Sequence, residues 1–197
     1  MKPVRALYDW VLHWAATPYG AWALLLLAMA EASFFPIPPD VLLLAICLAR
    51  PARSLHYAAL CTAGSVVGGM AGYAIGWGLW ELLSEFFFTH VPGFTPEVFQ
   101  RVGGFYEEWS FWAVFLAGLT PIPYKVFTVA GGVFGINFPI FILASALSRG
   151  LRFGVEGLLI QRFGPPMAVF IDRYFNWLSL AFGVVLVGGF ILLKYVF

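Results

Sequence analysis

Charged residues are scarce in this 197-residue chain, where Asp, Glu, Lys and Arg together make up 11%. Soluble domains carry roughly 25%. With 61% hydrophobic residues and a mean hydropathy of +0.87, a water-exposed fold is excluded and a bilayer is the expected solvent. The net charge is only +1, and no basic arm or RNA-binding motif occurs, so nucleic acid is not an expected partner. Cysteine is nearly absent: Cys47 and Cys61 lie in apolar segments and read as buried free thiols, not as a disulfide or redox pair. The three histidines, His13, His56 and His90, are scattered, and no Cys/His cluster has metal-ligand spacing. No metal or other cofactor is expected. No P-loop, Gly-x-Ser-x-Gly or His-Glu-x-x-His motif is present. Ser65, Thr128, Ser145 and Ser148 offer hydroxyls, but no motif pairs them with a base, so the chain does not read as an enzyme. AMA at 28–30 has the look of a signal-peptidase site. The long preceding segment, its Asp9 and the apolar sequence that resumes at once argue against cleavage there.

Aromatic residues are plentiful, with 21 Phe, eight Trp and eight Tyr, as suits membrane interfaces. Residues 4–16 read as an interfacial amphipathic helix. The apolar run 19–49 is interrupted by Pro36, Pro38 and Pro39. An apolar helix rich in Gly and Ala is expected over 55–80, with Gly68 and Gly72 at GxxxG spacing. The segment 81–109 is polar by comparison and carries Glu81, Glu85, Glu97, Glu107 and Glu108. Within it a helix is expected to start with Thr95 as N-cap and Pro96 at its first position. A second apolar run is broken by Pro121 and Pro123; apolar helices over 137–163 and 177–196 complete the chain.

The tripeptide PIP occurs at 36–38 and again at 121–123, an offset of 85 (121 − 36). The same offset pairs Val41 with Val126, Ala45 with Ala130 and Gly72 with Gly157. Repeat one covers about 4–83 and repeat two about 95–163. Each half of a broken run has about 10 to 16 residues, short of the roughly 20 that a helix needs to span. Each run is therefore expected to enter and leave on one face as a re-entrant hairpin. Lys2, Arg5, Arg50, Arg53, Arg162 and Arg173 then share one side, against Arg101 and Lys194 on the other. That bias places the N-terminus in the cytoplasm and the C-terminus outside. The expected fold is an all-α polytopic membrane domain, an inverted repeat of two re-entrant hairpins plus transmembrane helices. Discontinuous helices at such an interface hold a substrate near the midplane.

Proline lacks an N–H and clashes with the preceding turn, so each break releases carbonyls at membrane depth. Such groups persist only when buried in protein or facing a wet cavity. Asp40 follows the first break, at the positive end of a helix dipole, and the 85-residue register sets it opposite Lys125. If the hairpin tips meet, these charges approach each other. Glu31 lies deep in an apolar segment and is read either as a relay group or as an arginine partner. Arg149, Arg152 and Glu156 share one helix face, either as an Arg–Glu clamp or with the guanidinium groups holding an anionic headgroup.

These residues resemble the DedA superfamily (the VTT domain), and its YqaA-like branch most closely. The resemblance covers about residues 19–165. It rests on Glu31-x-x-x-x-Pro36-x-Pro38-Pro39-Asp40 and on GLTPIPYKVFTVAGGVFG, residues 118–135. Membership implies two opposed re-entrant hairpins, residence in the bacterial inner membrane, and movement of a phospholipid or polyprenyl-phosphate lipid across the bilayer, as a flippase or scramblase. The implied partners are lipids with an anionic or zwitterionic headgroup and a coupling proton; an oligomer is compatible. Many members carry arginines on both sides of the second proline. Here the upstream position is Gly118 and the downstream one Lys125, displaced by one residue, and Arg149 and Arg152 are candidates to compensate. The alternative is a small-ion or small-solute transporter on the same scaffold.

Overall fold

A computed structural model describes residues 17, 19–35, 37–90, 95–120, 123–164 and 166. The expected helices 4–16 and 177–196, and the break residues Pro36 and Pro121, lie outside the described residues. Every regular element among those described is helical: α1 Gly20–Ser33, α2 Asp40–Ala49, a 3-10 turn Pro51–Arg53, α3 Ser54–His90, α4 Pro96–Leu119, α5 Tyr124–Val133 and α6 Phe138–Phe163. Among the described residues two stretches are long and apolar enough to cross a membrane, Pro51–Leu82 and Phe138–Phe163.

Close helix contacts give the direction of each element. α1 runs parallel to α3: the backbone of Leu25 lies against Gly64, that of Met29 against Gly68, and the Ala32 carbonyl near Gly72. α2 then turns back, and Cys47 meets Ser54 through Sγ to the Ser54 carbonyl at 3.7 Å. α5 also runs along α3, with Thr128 against Gly72 and Val129 and Val133 against Gly76. α6 runs the opposite way, from Phe138 beside Tyr73 to Gly157 beside Ser54 and Ala58. Small residues every fourth position on α3 (Gly64, Gly68, Gly72 and Gly76) allow this approach; any Cβ there would overlap a neighbour's backbone or Thr128.

Local chemistry sets the helix ends. Gly135 adopts φ +61°; its N–H bonds the Gly132 carbonyl and that of Ile136 bonds Gly131. This is a Schellman termination, which needs a left-handed residue. Asn137 then caps α6 by accepting from the Ile140 N–H at 3.1 Å. At the start of α4 the Thr95 carbonyl accepts from Phe99, as an N-cap residue does. Hydrogen bonds from Thr95 and from its own backbone N–H hold the Glu97 carboxyl below the ordinary carboxylate range.

Two boundaries differ from the sequence reading. The helix expected over 55–80 continues as α3 to His90, because WELLSEFFFTH contains neither Pro nor Gly to stop it. The α4 helix is continuous in hydrogen bonding but kinked at Trp109, with φ −114° and ψ 19°. The kink separates the polar half of α4 from its apolar half, and in the 85-residue register that apolar half aligns with α1.

The bundle is apolar outside, and its largely apolar core encloses a set of buried polar residues. On α6, Leu143, Leu147, Leu151, Val155 and Leu158 face outward, while Ser145, Ser148 and Arg149 are buried. Cys47 and Cys61 are buried free thiols.

Candidate functional site

Both breaks sit at the mid-height of the long helices. Ser33, the last residue of α1, donates to the Gly68 carbonyl at 2.9 Å, and Gly68 lies near the centre of Pro51–Leu82. Arg149 and Arg152, which face the breaks, lie near the centre of α6. Two helix ends and two helix starts therefore converge on one level, each with backbone groups that its own helix cannot satisfy.

The released carbonyls are taken by side chains of α5 and α6, which at the first break come from the other half of the chain. Lys125 at the start of α5 donates Nζ to the Phe35 carbonyl at 3.1 Å. Thr128 donates Oγ1 to the Ala32 carbonyl at 3.1 Å. At the second break, Arg152 Nη1 donates to the Thr120 carbonyl at 3.1 Å.

Asp40 does not meet Lys125. Its Oδ1 accepts from Arg152 Nη2 at 2.6 Å and from Nε at 3.0 Å. The repeat register pairs positions along the chain, but α6 presents Asp40 with a forked donor set, which suits a carboxylate better than a point charge. Glu31 takes the remaining arginine, with Arg149 Nη2 to Oε2 at 3.2 Å. Glu156 stands one turn beyond Arg152, its Oε1 3.8 Å from Arg152 Nε. The structure thus brings together Glu31, Asp40, Arg149, Arg152 and Glu156, and leaves Lys125 on the neighbouring carbonyl. The side chains are largely shielded: exposure is 4% at Arg149, 10% at Asp40 and 14% at Glu31. Among the described residues no group of His, Cys, Asp and Glu is placed to hold a metal.

One residue here has no counterpart in the sequence reading. Tyr124, fully buried, lies flat against Arg149, whose Cζ is 4.1 Å from the ring centroid. Its hydroxyl donates to Ser145 Oγ at 2.5 Å. The ring thus supports the guanidinium as a cation–π partner. A Tyr after PIP in an apolar run reads as an interfacial aromatic, and nothing local marks it as an arginine's partner. Tyr124→Phe keeps the ring and strands Ser145, so it is expected to lower stability by about 1–2 kcal/mol. Thermal unfolding in detergent checks this, and a loss as large as that of Tyr124→Leu would contradict the ring's role.

Several buried polar atoms of this cluster have no hydrogen-bond partner: Arg149 Nε, Glu156 Oε2 and Thr120 Oγ1. Beside it, between α3 and α6, lies an apolar groove of about 610 Å³ lined by Ala58, Thr62, Val67, Gly150 and Gly154. Its α6 wall is the small-residue stripe Ala146, Gly150 and Gly154.

The chain is 31% identical over 194 residues to an uncharacterized protein of Haemophilus influenzae, the match covering 98% of this chain and all of that one. It is 29% identical over 194 residues to an uncharacterized protein of Histophilus somni, again covering 98% and 100%. No family model matches, and no solved structure matches.

Proposed function

Since this chain belongs to the family of the Haemophilus influenzae protein that it matches along its whole length, we propose one activity for the chain as a whole, the movement of a lipid across the bacterial inner membrane. In this reading the fold is an inverted repeat. α1 and α2 enter and leave on the cytoplasmic side, α4 and α5 on the other, and α3 and α6 cross. The parallel run of α1 with α3, the return of α2 to Ser54, and the reversal of α6 support it. The DedA-type signatures at 31–40 and 118–135 point the same way.

The observation that carries the proposal is the buried cluster at mid-height. Ionisable residues at bilayer depth are expensive and mark pathways or relays. Here five of them stand where two hairpins end halfway along two apolar spans. Arg149 Nε faces no acceptor, and guanidinium donors suit a headgroup phosphate. The apolar groove between α3 and α6, open to the bundle's exterior, has the character of a seat for an acyl chain. That sideways opening favours a lipid over a small polar solute.

Reconstitution of the full chain in vesicles tests the proposal, using headgroup-labelled anionic and zwitterionic lipids with and without a pH gradient. Wild-type protein is expected to move label across. Asp40→Asn, Lys125→Met and Arg149→Met are each expected to slow it about tenfold or more. Wild-type vesicles that move none of these lipids would overturn the function. Undiminished transport by all three variants would overturn the site.

A further inference from the structure

Arg152 is shared by two carboxyl groups. Asp40 holds its Nε and Nη2 at hydrogen-bond distance. Glu156, approaching the same Nε, reaches only to 3.8 Å, and its Oε2 is buried with no donor at all. The two carboxyl groups lie within hydrogen-bonding reach of each other. From every element packed around it, the groups facing Glu156 are Asp40 and Cys47 from α2, Cys61 from α3, and Arg149 and Arg152 from α6 itself. None of these offers Oε2 a hydrogen bond while both carboxyl groups are ionised.

A carboxylate oxygen closed off from donors is expensive, and two carboxylates that share one cation resist ionising together. A proton relieves both problems. On Glu156 it turns the stranded oxygen into a donor aimed at Asp40, and Asp40 keeps its bonds to Arg152. We infer that Asp40 and Glu156 form a proton-binding pair with one proton resident on Glu156. Loss of that proton makes Glu156 a rival acceptor for Arg152 Nε, one turn along the same helix. Arg152 would then leave Asp40 and the Thr120 carbonyl, and both breaks would lose a tie in one step. The inference deepens the proton-coupled form of lipid transport and rests on the cluster's placement in an apolar bundle. It does not require that a lipid move.

Infrared difference spectroscopy on the full chain in lipid nanodiscs reads the proton directly. A pH titration is expected to reveal the C=O stretch of one protonated carboxyl per chain. Glutamate labelled with ¹³C at the side-chain carboxyl should shift that band in the wild-type protein, where no substitution can disturb folding. Glu156→Gln should remove it and Glu31→Gln should leave it. Three results would overturn the inference: no such band at any pH, a band unmoved by glutamate labelling, or a band that survives Glu156→Gln. Lipid movement is scored separately, so an inactive chain that shows the band refutes the transport reading alone.

Discussion

Arg152→Met is expected to lower stability by about 3–5 kcal/mol, the range seen when one partner of a buried ion pair is removed. Arg152 touches three groups at once. Without it the Asp40 carboxylate, 10% exposed, loses both of its short bonds, and the Thr120 carbonyl loses the donor that closes the second break. Against a total stability of about 5–15 kcal/mol, such a loss leaves a protein that unfolds readily in detergent. Asp40→Asn alone should cost less, because an amide can still accept from the guanidinium. In Asp40→Asn/Arg152→Met the stranded charge is gone, so the double variant should recover part of what Arg152→Met loses. A double-mutant cycle of thermal or chemical unfolding measures this coupling. Arg152→Met within about 1 kcal/mol of wild type would mean the pair contributes little to the folded state.

Gly132→Ala should be comparably damaging for a different reason. A Cβ at this position would overlap the Tyr73 carbonyl oxygen and come within 2.7 Å of the Trp77 nitrogen. Both are backbone atoms of α3, so no rotamer change can relieve the clash and the helices must separate. Overpacking typically costs about 1–3 kcal/mol, and a backbone-to-backbone clash belongs at the upper end. Gly78→Ala supplies the contrast on α3: a Cβ there meets nothing within 4 Å. An alanine in place of that glycine should stabilise the helix by about 0.5–1 kcal/mol. Two substitutions of identical chemistry are thus expected to have opposite signs. Equal melting temperatures for the two variants would show that the α3–α5 approach is looser than the structure describes.

Much of this arrangement was legible in the sequence because it depends on residues with strong local effects. Prolines at 38, 39 and 123 are excluded from a helix interior, and Pro39 and Pro123 stand at the N-caps of α2 and α5. The spacing of Arg149, Arg152 and Glu156 puts them on one face of any α-helix, and the structure keeps them together. The division of the second apolar run from TPEVFQRVGGFYEEW is visible as a composition change, and it falls at the Trp109 kink. What was not legible depends on where elements meet in space. The 85-residue register set Asp40 opposite Lys125, yet which cation reaches Asp40 is decided by α6, an element outside both breaks. The carbonyls of Ala32, Phe35 and Thr120 have no sequence signature as acceptors. Gly64 and Gly76 differ from Gly78 only in what lies across from them.

The glycine stripe of α3 has a mechanical consequence. Gly64 and Gly68 hold α1, and Gly72 and Gly76, the next two steps of the same stripe, hold α5. One rod therefore bears both broken segments on a single line. A rotation of α3 about its long axis carries the two in the same sense, and neither can swing away without prising open the shared seam. The seam makes α3 a common shaft, so that whatever tilts one break gears the other.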